Sequence, residues 1–248
     1  MAGMAGAQSG SASRRGIIEL TTIRMRNSHD DQLTRTREFL SRHAAPALKR
    51  AGSGPVGLFT VSVGPATPSM VVVTSYPSLT AYEASLDKLR VDKALLDAAM
   101  AYYEHPGLKF QRVDKSLLSC FETVQGIKVP PTGADRPPRI FELRTYESDD
   151  FATIARKVNM FNTGEIGIFQ RVGMLPVFFG ETIVGANMPN LTYMLAFDDL
   201  AAREKAWAAF RGDAEWRKLS AQPGLGNADI VSNISNSFLS PVEGSDIR

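Results

Sequence analysis

Glu19-Leu20-Thr21-Thr22 returns 123 positions later as Glu142-Leu143-Arg144-Thr145, and the rest of the chain follows it. Pro55-Val56-Gly57-Leu58-Phe59 is echoed by Pro176-Val177-Phe178-Phe179-Gly180. Leu79, Leu86, Leu89 and Leu95 recur as Leu200, Trp207, Phe210 and Trp216, Asp92 as Asp213, and Leu118 as Leu239, all at an offset of 121. A period this long is outside the 20–50 residues usual for solenoid units. It reads as a duplicated domain, and 248 residues hold two domains of ordinary size.

Working outward, each copy gives one order of elements. Ile17 to Met25 is β-branched and reads as a strand. Residues 30–51 carry apolar side chains near a 3.6 period, with Asp30 or Asp31 at the helix start and Gly52-Ser53-Gly54-Pro55 at its end. Val56–Val63 and Met70–Tyr76 are strands, Thr80 with Glu83 fits a capping box for the next helix, a shorter helix covers 92–103, and Leu108–Phe121 is the closing strand. The second copy replays this over residues 139–241, with Gly164 and Gly167 expected to kink its first helix and Asp198 or Asp199 to cap its second. Strand–helix–strand–strand–helix–strand is the split βαβ of a ferredoxin-like fold. The expected fold class is α+β: two tandem ferredoxin-like units packed sheet to sheet as an intramolecular α/β barrel. The expected division is an arm at 1–16, repeats at 17–125 and 139–241, a proline-rich linker at 126–138 and a tail at 242–248.

Composition excludes several classes. Net charge is +2, too small to imply a nucleic-acid partner. No apolar run approaches the roughly 18 residues of a membrane span, and residues 1–16 lack the apolar stretch of a secretory signal. The single cysteine, Cys120, has no internal disulfide partner, and a core thiol is expected there. A cytoplasmic location is expected, or export if the true N-terminus is longer. His29, His43 and His105 have no companions at metal-ligand spacing, so no metal or cofactor is expected. The chain can complete a barrel alone; a monomer is allowed, as is self-association through leftover edge strands.

If the apolar set of the strand 139–146 faces the helices, Glu142, Arg144 and Tyr146 face a cavity between the sheets. Glu181 and Tyr193 are candidates for the same lining. These residues form either a structural brace or a polar patch that orients a ligand. The polar alternation of Asn233, Ser235 and Ser237 reads as edge hydration.

The chain resembles the NIPSNAP family over roughly residues 17–241. The resemblance rests on Phe141-Glu142-Leu143-Arg144-Thr145-Tyr146, on Leu191-Thr192-Tyr193-Met194-Leu195-Ala196-Phe197-Asp198-Asp199-Leu200, and on Arg203, Trp207, Phe210, Asp213, Glu215 and Trp216. It implies the dimeric α/β-barrel superfamily, which includes cofactor-free monooxygenases, haem enzymes and proteins with no known reaction. NIPSNAP relatives have been linked to mitochondria and vesicle traffic in animals, without an agreed activity. The first half departs from the pattern, with Thr21 and Ile23 where the second has Arg144 and Tyr146, so a polar site is expected on the second repeat.

Three readings follow. The chain binds a small, partly apolar molecule between its sheets, with Arg144 and Tyr146 suited to a carboxylate. Alternatively, it is a cofactor-free monooxygenase-like enzyme, whose base would be Glu142, Glu181 or His105. Or it is a structural module with a filled barrel.

Overall fold

Eight strands pair in the cyclic order β1-β3-β2-β8-β5-β7-β6-β4 in a computed structural model that describes residues 15–65, 67–133 and 137–248. Most of the expected arm, and Ala134-Asp135-Arg136 of the linker, lie outside the described residues. The first repeat supplies β1 (Ile17–Arg24), β2 (Gly57–Val63), β3 (Ser69–Tyr76) and β4 (Arg112–Cys120). The second supplies β5 (Ile140–Glu147), β6 (Leu175–Val184), β7 (Asn190–Phe197) and β8 (Asn233–Pro241). Each is a four-stranded antiparallel sheet, and the two are sewn together by β2–β8 and β4–β6.

Closure corrects two expectations. None of the eight strands is left with a free edge, so edge-to-edge self-association is unavailable to them. Strand β8 is paired on both sides, so the Asn233–Ser235–Ser237 alternation is not edge hydration. Ser235 and Ser237 lie opposite Thr145 and Leu143, on the inward face.

The helices dress the outside. In the first repeat α1 (Gln32–Phe39), a π-helical segment (Leu40–Ala44) and α2 (Ala45–Ala51) run as one rod, followed later by α3 (Leu79–Arg90) and α4 (Lys93–Glu104). In the second, α5 (Phe151–Met160), a π-helical segment (Phe161–Glu165) and α6 (Ile166–Arg171) are followed by α7 (Leu200–Gly212), α8 (Ala214–Ser220) and α9 (Asn227–Ile230). The π segments sit 121 residues apart, and the first contains no glycine. The distortion therefore belongs to the repeat's architecture rather than to Gly164. Caps are shared too. Ser78 and Asp199 accept from the backbone of Ala81 and Ala202, and Asp92 and Asp213 cap α4 and α8. The cap of α3 is Ser78, within the Pro77-Ser78 opening that the sequence also gives, rather than Thr80: the helix starts two residues earlier than the capping-box pattern suggested.

An eight-stranded barrel is just wide enough to be filled by side chains. Ile18, Phe59, Val73, Leu118, Cys120, Phe141, Phe178, Met194 and Leu239 fill one half of it, all at 0% exposure, and Ile247 from the tail completes that cluster. The other half carries hydroxyls that satisfy one another, Thr145 with Thr192 at 2.8 Å and Thr182 donating to Asn190 at 2.6 Å. At the β4–β6 seam a Cβ on Gly180 would stand 2.7 Å from Leu118 Cβ. Gly180→Val is expected to destabilise by about 1–3 kcal/mol through overpacking, read from urea midpoints at unchanged slope.

Candidate functional site

In β5 the register puts Phe141, Leu143 and Thr145 inside the barrel and Glu142, Arg144 and Tyr146 outside, beneath the helices of the second repeat. The expectation that the polar set faces the sheet-to-sheet space is therefore reversed. The closed barrel is filled by side chains, and a buried carboxylate or guanidinium would need partners there. Helix α7 supplies them on the other face: Arg203 and Trp207, one turn apart, reach down onto the strand.

Glu142 is the hub. Its Oε1 accepts from Arg144 Nη1 (2.9 Å), Arg203 Nη2 (2.6 Å) and Asn236 Nδ2 (2.8 Å), and its Oε2 from Arg203 Nε (3.2 Å) and Trp207 Nε1 (2.8 Å). Burial pushes its pKa up, but hydrogen bonds from Arg203 and Trp207 and the charges of Arg144 and Arg203 outweigh this and hold it below the ordinary carboxylate range. Arg144 spreads over the rest of the face. Its Nε donates to Tyr193 Oη (2.9 Å) and its Nη2 to Tyr146 Oη (3.2 Å), while the guanidinium lies 4.8 Å from the centroid of Trp207. Tyr193 donates to Tyr146 at 2.8 Å, and burial holds its phenol well above its ordinary pKa, so it stays neutral.

Two side chains of this cluster keep open hydrogen-bonding groups among the described residues. A guanidinium carries five N–H groups, of which Arg144 commits three, leaving one hydrogen on each Nη among the described residues. Asn236 Oδ1 is buried without a partner among the described residues, and its orientation is fixed because the amide nitrogen serves Glu142. Arg144 and Asn236 face each other across the β5–β8 ladder.

Behind the cluster is a second buried pair, Lys157 Nζ to Glu165 Oε2 at 2.9 Å, with side chains 1% and 3% exposed. The ammonium lies 4.9 Å from the Phe161 centroid and 5.6 Å from that of Trp216. Burial raises the pKa of Glu165, against the pull of Lys157. The equivalent positions of the first repeat are Thr36 and Ala44, so the fold does not require the pair. Lys157→Ala is expected to cost about 3 kcal/mol by stranding Glu165, while Lys157→Met with Glu165→Leu is expected to be neutral or stabilising; denaturant melts of both variants check this.

Of the five sequence candidates, Glu142, Arg144, Tyr146 and Tyr193 come together. Glu181 does not: it stands half-buried on β6 between β4 and β7, and its side chain makes no hydrogen bond or ion pair among the described residues. His105 is exposed, its Nδ1 accepting from the Gly107 backbone in a turn. Cys120 lies inside the barrel, where burial pushes its thiol up to about 11. No group of His, Cys, Asp or Glu among the described residues could hold a metal. Arg203, Trp207, Asn236, Lys157 and Glu165 were not named as site residues from sequence. Arg203 and Trp207 carry a signal, being four apart on a helix and level with the motif strand.

The first repeat keeps the carboxylate and changes its company. Glu19 Oε1 accepts from Thr21 (3.0 Å) and Lys115 (2.7 Å), and Lys115 stands where Asn236 stands in the twin. Tyr82 and Leu86 replace Arg203 and Trp207.

A family model described as NIPSNAP matches residues 22–123 and 141–246, once per repeat. No curated protein matches the chain significantly. Among solved structures, a protein described as a "putative monooxygenase" from Fusobacterium nucleatum subsp. nucleatum is 10% identical, with a TM-score of 0.57 over 92% of this chain and 93% of that one. An anthrone oxidase-like protein is 11% identical, with a TM-score of 0.51 over 94% and 95%. A NIPSNAP family protein of unknown function from Agrobacterium tumefaciens is 20% identical and aligns 95% of its length to 45% of this chain, with a TM-score of 0.40.

Proposed function

The chain belongs to the NIPSNAP family, matched once in each half, and from that premise we propose that it binds a small, partly apolar molecule on the outer face of its second sheet, at Arg144 and Asn236. The single observation that carries this reading is the pairing of open groups. Arg144, with one hydrogen uncommitted on each Nη, is the register partner of Asn236, whose buried amide oxygen has no donor among the described residues. A buried acceptor left unsatisfied costs about 1–3 kcal/mol, so a ligand that supplies its donor gains that back. The complementary ligand presents an oxygen acceptor, such as a carbonyl or carboxylate, next to a hydroxyl or N–H. Its apolar body would lie along Trp207 and Phe238, both of which already bear a guanidinium face. Approach is from the β8 side, where Ile234 is 42% exposed and Arg144 and Arg203 keep 13% and 16% of their side-chain surface.

Acid–base catalysis has less support. Glu142 accepts five hydrogen bonds and is held below the ordinary range, which makes it a weak base at neutral pH. Two fold relatives are described as a "putative monooxygenase" and an anthrone oxidase-like protein, and an anthrone is itself an aromatic ketone.

Arg144→Ala cannot test the reading alone, because it also removes a counter-charge from Glu142. Asn236→Ala can. It loses one hydrogen bond to a carboxylate and an orphaned acceptor together, so stability is expected to stay within about 1 kcal/mol. A set of 2-hydroxy acids and hydroxy-ketones, titrated by calorimetry, is expected to bind the parent chain and to bind Asn236→Ala about tenfold more weakly. Equal binding by both proteins, or by neither, overturns the proposal.

A further inference from the structure

Helix α4 (Lys93–Glu104) buries none of its twelve residues below the surface. It is held by its inner side, where Tyr102 stacks on Phe39 at 4.9 Å and shares a hydrogen bond with Thr36 at 2.8 Å. Its outer side carries an apolar stripe at helical spacing: Leu96, Met100 and Tyr103, exposed by 45%, 58% and 55%. The twin repeat provides an internal control. At the positions 121 residues on stand Arg217 on α8 and, past that helix's end at Ser220, Ala221 and the turn residue Gly224, so the second copy carries no stripe of large apolar residues there. An exposed stripe that one copy of a duplicated fold has and the other lacks marks a contact surface.

The charges beside the stripe identify the partner. Lys93 stands at the start of α4, paired with Asp97 one turn on at 2.6 Å, and Glu104 stands at its end; all three are exposed and lie on one flank of Met100, so that across a two-fold axis Glu104 meets the Lys93–Asp97 pair at its cationic end. In an antiparallel helix pair, equal flanks meet. With the two-fold axis between Ala99 and Met100, Leu96 lies across from Tyr103 of the other helix, Met100 packs at the centre, and Lys93 comes within reach of Glu104. The helix is thus complementary to itself in apolar content, in charge and in direction, as an isologous interface requires. We propose that α4 is a self-association surface through which two copies of this chain pair antiparallel.

The test is the oligomeric state of the full chain by sedimentation and light scattering over a range of concentrations. A concentration-dependent dimer is expected. Met100→Glu is expected to shift it to monomer, because it places two like charges at the centre. Lys93→Glu and Glu104→Lys alone each turn two symmetry-related attractions into repulsions, and each is expected to weaken the dimer about tenfold. Lys93→Glu combined with Glu104→Lys re-creates the pairing with reversed sign and is expected to restore the parent affinity within about twofold. The thermal melt of the monomer serves as a control: it should not move for Met100→Glu or Glu104→Lys, and should fall only slightly for Lys93→Glu, which also breaks the exposed pair with Asp97. A monomer at every concentration overturns the proposal, whatever else covers the stripe. So does a dimer indifferent to Met100→Glu, or a charge swap that fails to restore what the single reversals remove.

Discussion

Glu142→Ala is expected to lower stability by about 3–5 kcal/mol, whereas Glu19→Ala, the same change in the other repeat, is expected to cost roughly 1 kcal/mol or less. The difference lies in what each carboxylate neutralises. Removing Glu142 strands Arg144 and leaves Arg203 with only its exposed neighbour Glu204, the two arginines being 13% and 16% exposed, with Asn236 and the Trp207 indole N–H also losing their acceptor. Removing Glu19 frees Lys115, which is 53% exposed and can turn to water. Urea unfolding of both variants measures the contrast; equal losses would mean that the Arg144–Arg203 cluster finds other compensation. The pH dependence follows from the sign of the shift. The folded pKa of Glu142 lies below its ordinary value of 4.5, so its contribution is complete above that value and is lost as the pH falls through the folded one. Glu165 runs the other way: its pKa is raised, so ionising it opposes folding as the pH climbs past its ordinary value, and protonation relieves that cost. Glu142→Gln is therefore expected to flatten the acid limb of the stability curve, while Glu165→Gln leaves that limb in place.

The duplication was legible because the repeat is written in packing positions. Leu79, Leu86, Leu89 and Leu95 return as Leu200, Trp207, Phe210 and Trp216, and a 121-residue offset in four such places leaves two copies of one fold as the economical reading. Barrel closure followed from strands that are apolar on both faces. The same property hid the orientation of β5. When Phe141, Leu143 and Thr145 must be buried against one layer and Ile140, Glu142, Arg144 and Tyr146 against another, alternation says that two faces exist but not which layer lies over each. Only the donors on α7 settle it, since Arg203 and Trp207 can reach a carboxylate on the outer face. Asn236 was illegible for a different reason. Its neighbour Arg144 is set by the β5–β8 register, a pairing between segments some ninety residues apart, and register needs coordinates or a fixed turn to be known. Lys157 and Glu165 were hidden by the π-helical turn, which carries Glu165 off a plain 3.6-residue repeat and back beneath α5.

Trp207→Leu, which gives the second repeat the side chain that the first has at Leu86, is expected to cost about 3–4 kcal/mol. Three losses combine. The seam between α7 and the sheet loses volume around Phe169 and Phe210, whose rings pack on Trp207 at 5.7 and 5.6 Å. Glu142 loses the indole N–H at 2.8 Å. The guanidinium groups of Arg144 and Arg203 lose the ring that they face at 4.8 and 5.8 Å. The reciprocal change, Leu86→Trp, is expected to lie within about 1 kcal/mol of neutral, because Leu86 is half-exposed and α3 buries only Ser85. The pair of variants separates two accounts of the asymmetry between the repeats. If Trp207 serves only to fill space, Trp207→Phe should recover most of the loss, since a second aromatic ring restores most of the volume. If it serves the carboxylate cluster, Trp207→Phe should remain destabilised by about 1–2 kcal/mol relative to the parent, and the deficit should shrink in a Glu142→Gln background, where the acceptor it serves has lost its charge. A double-mutant cycle over Trp207 and Glu142, read from denaturant midpoints, gives that coupling directly. A coupling near zero would return Trp207 to the apolar core and leave Glu142 to its two arginines and Asn236.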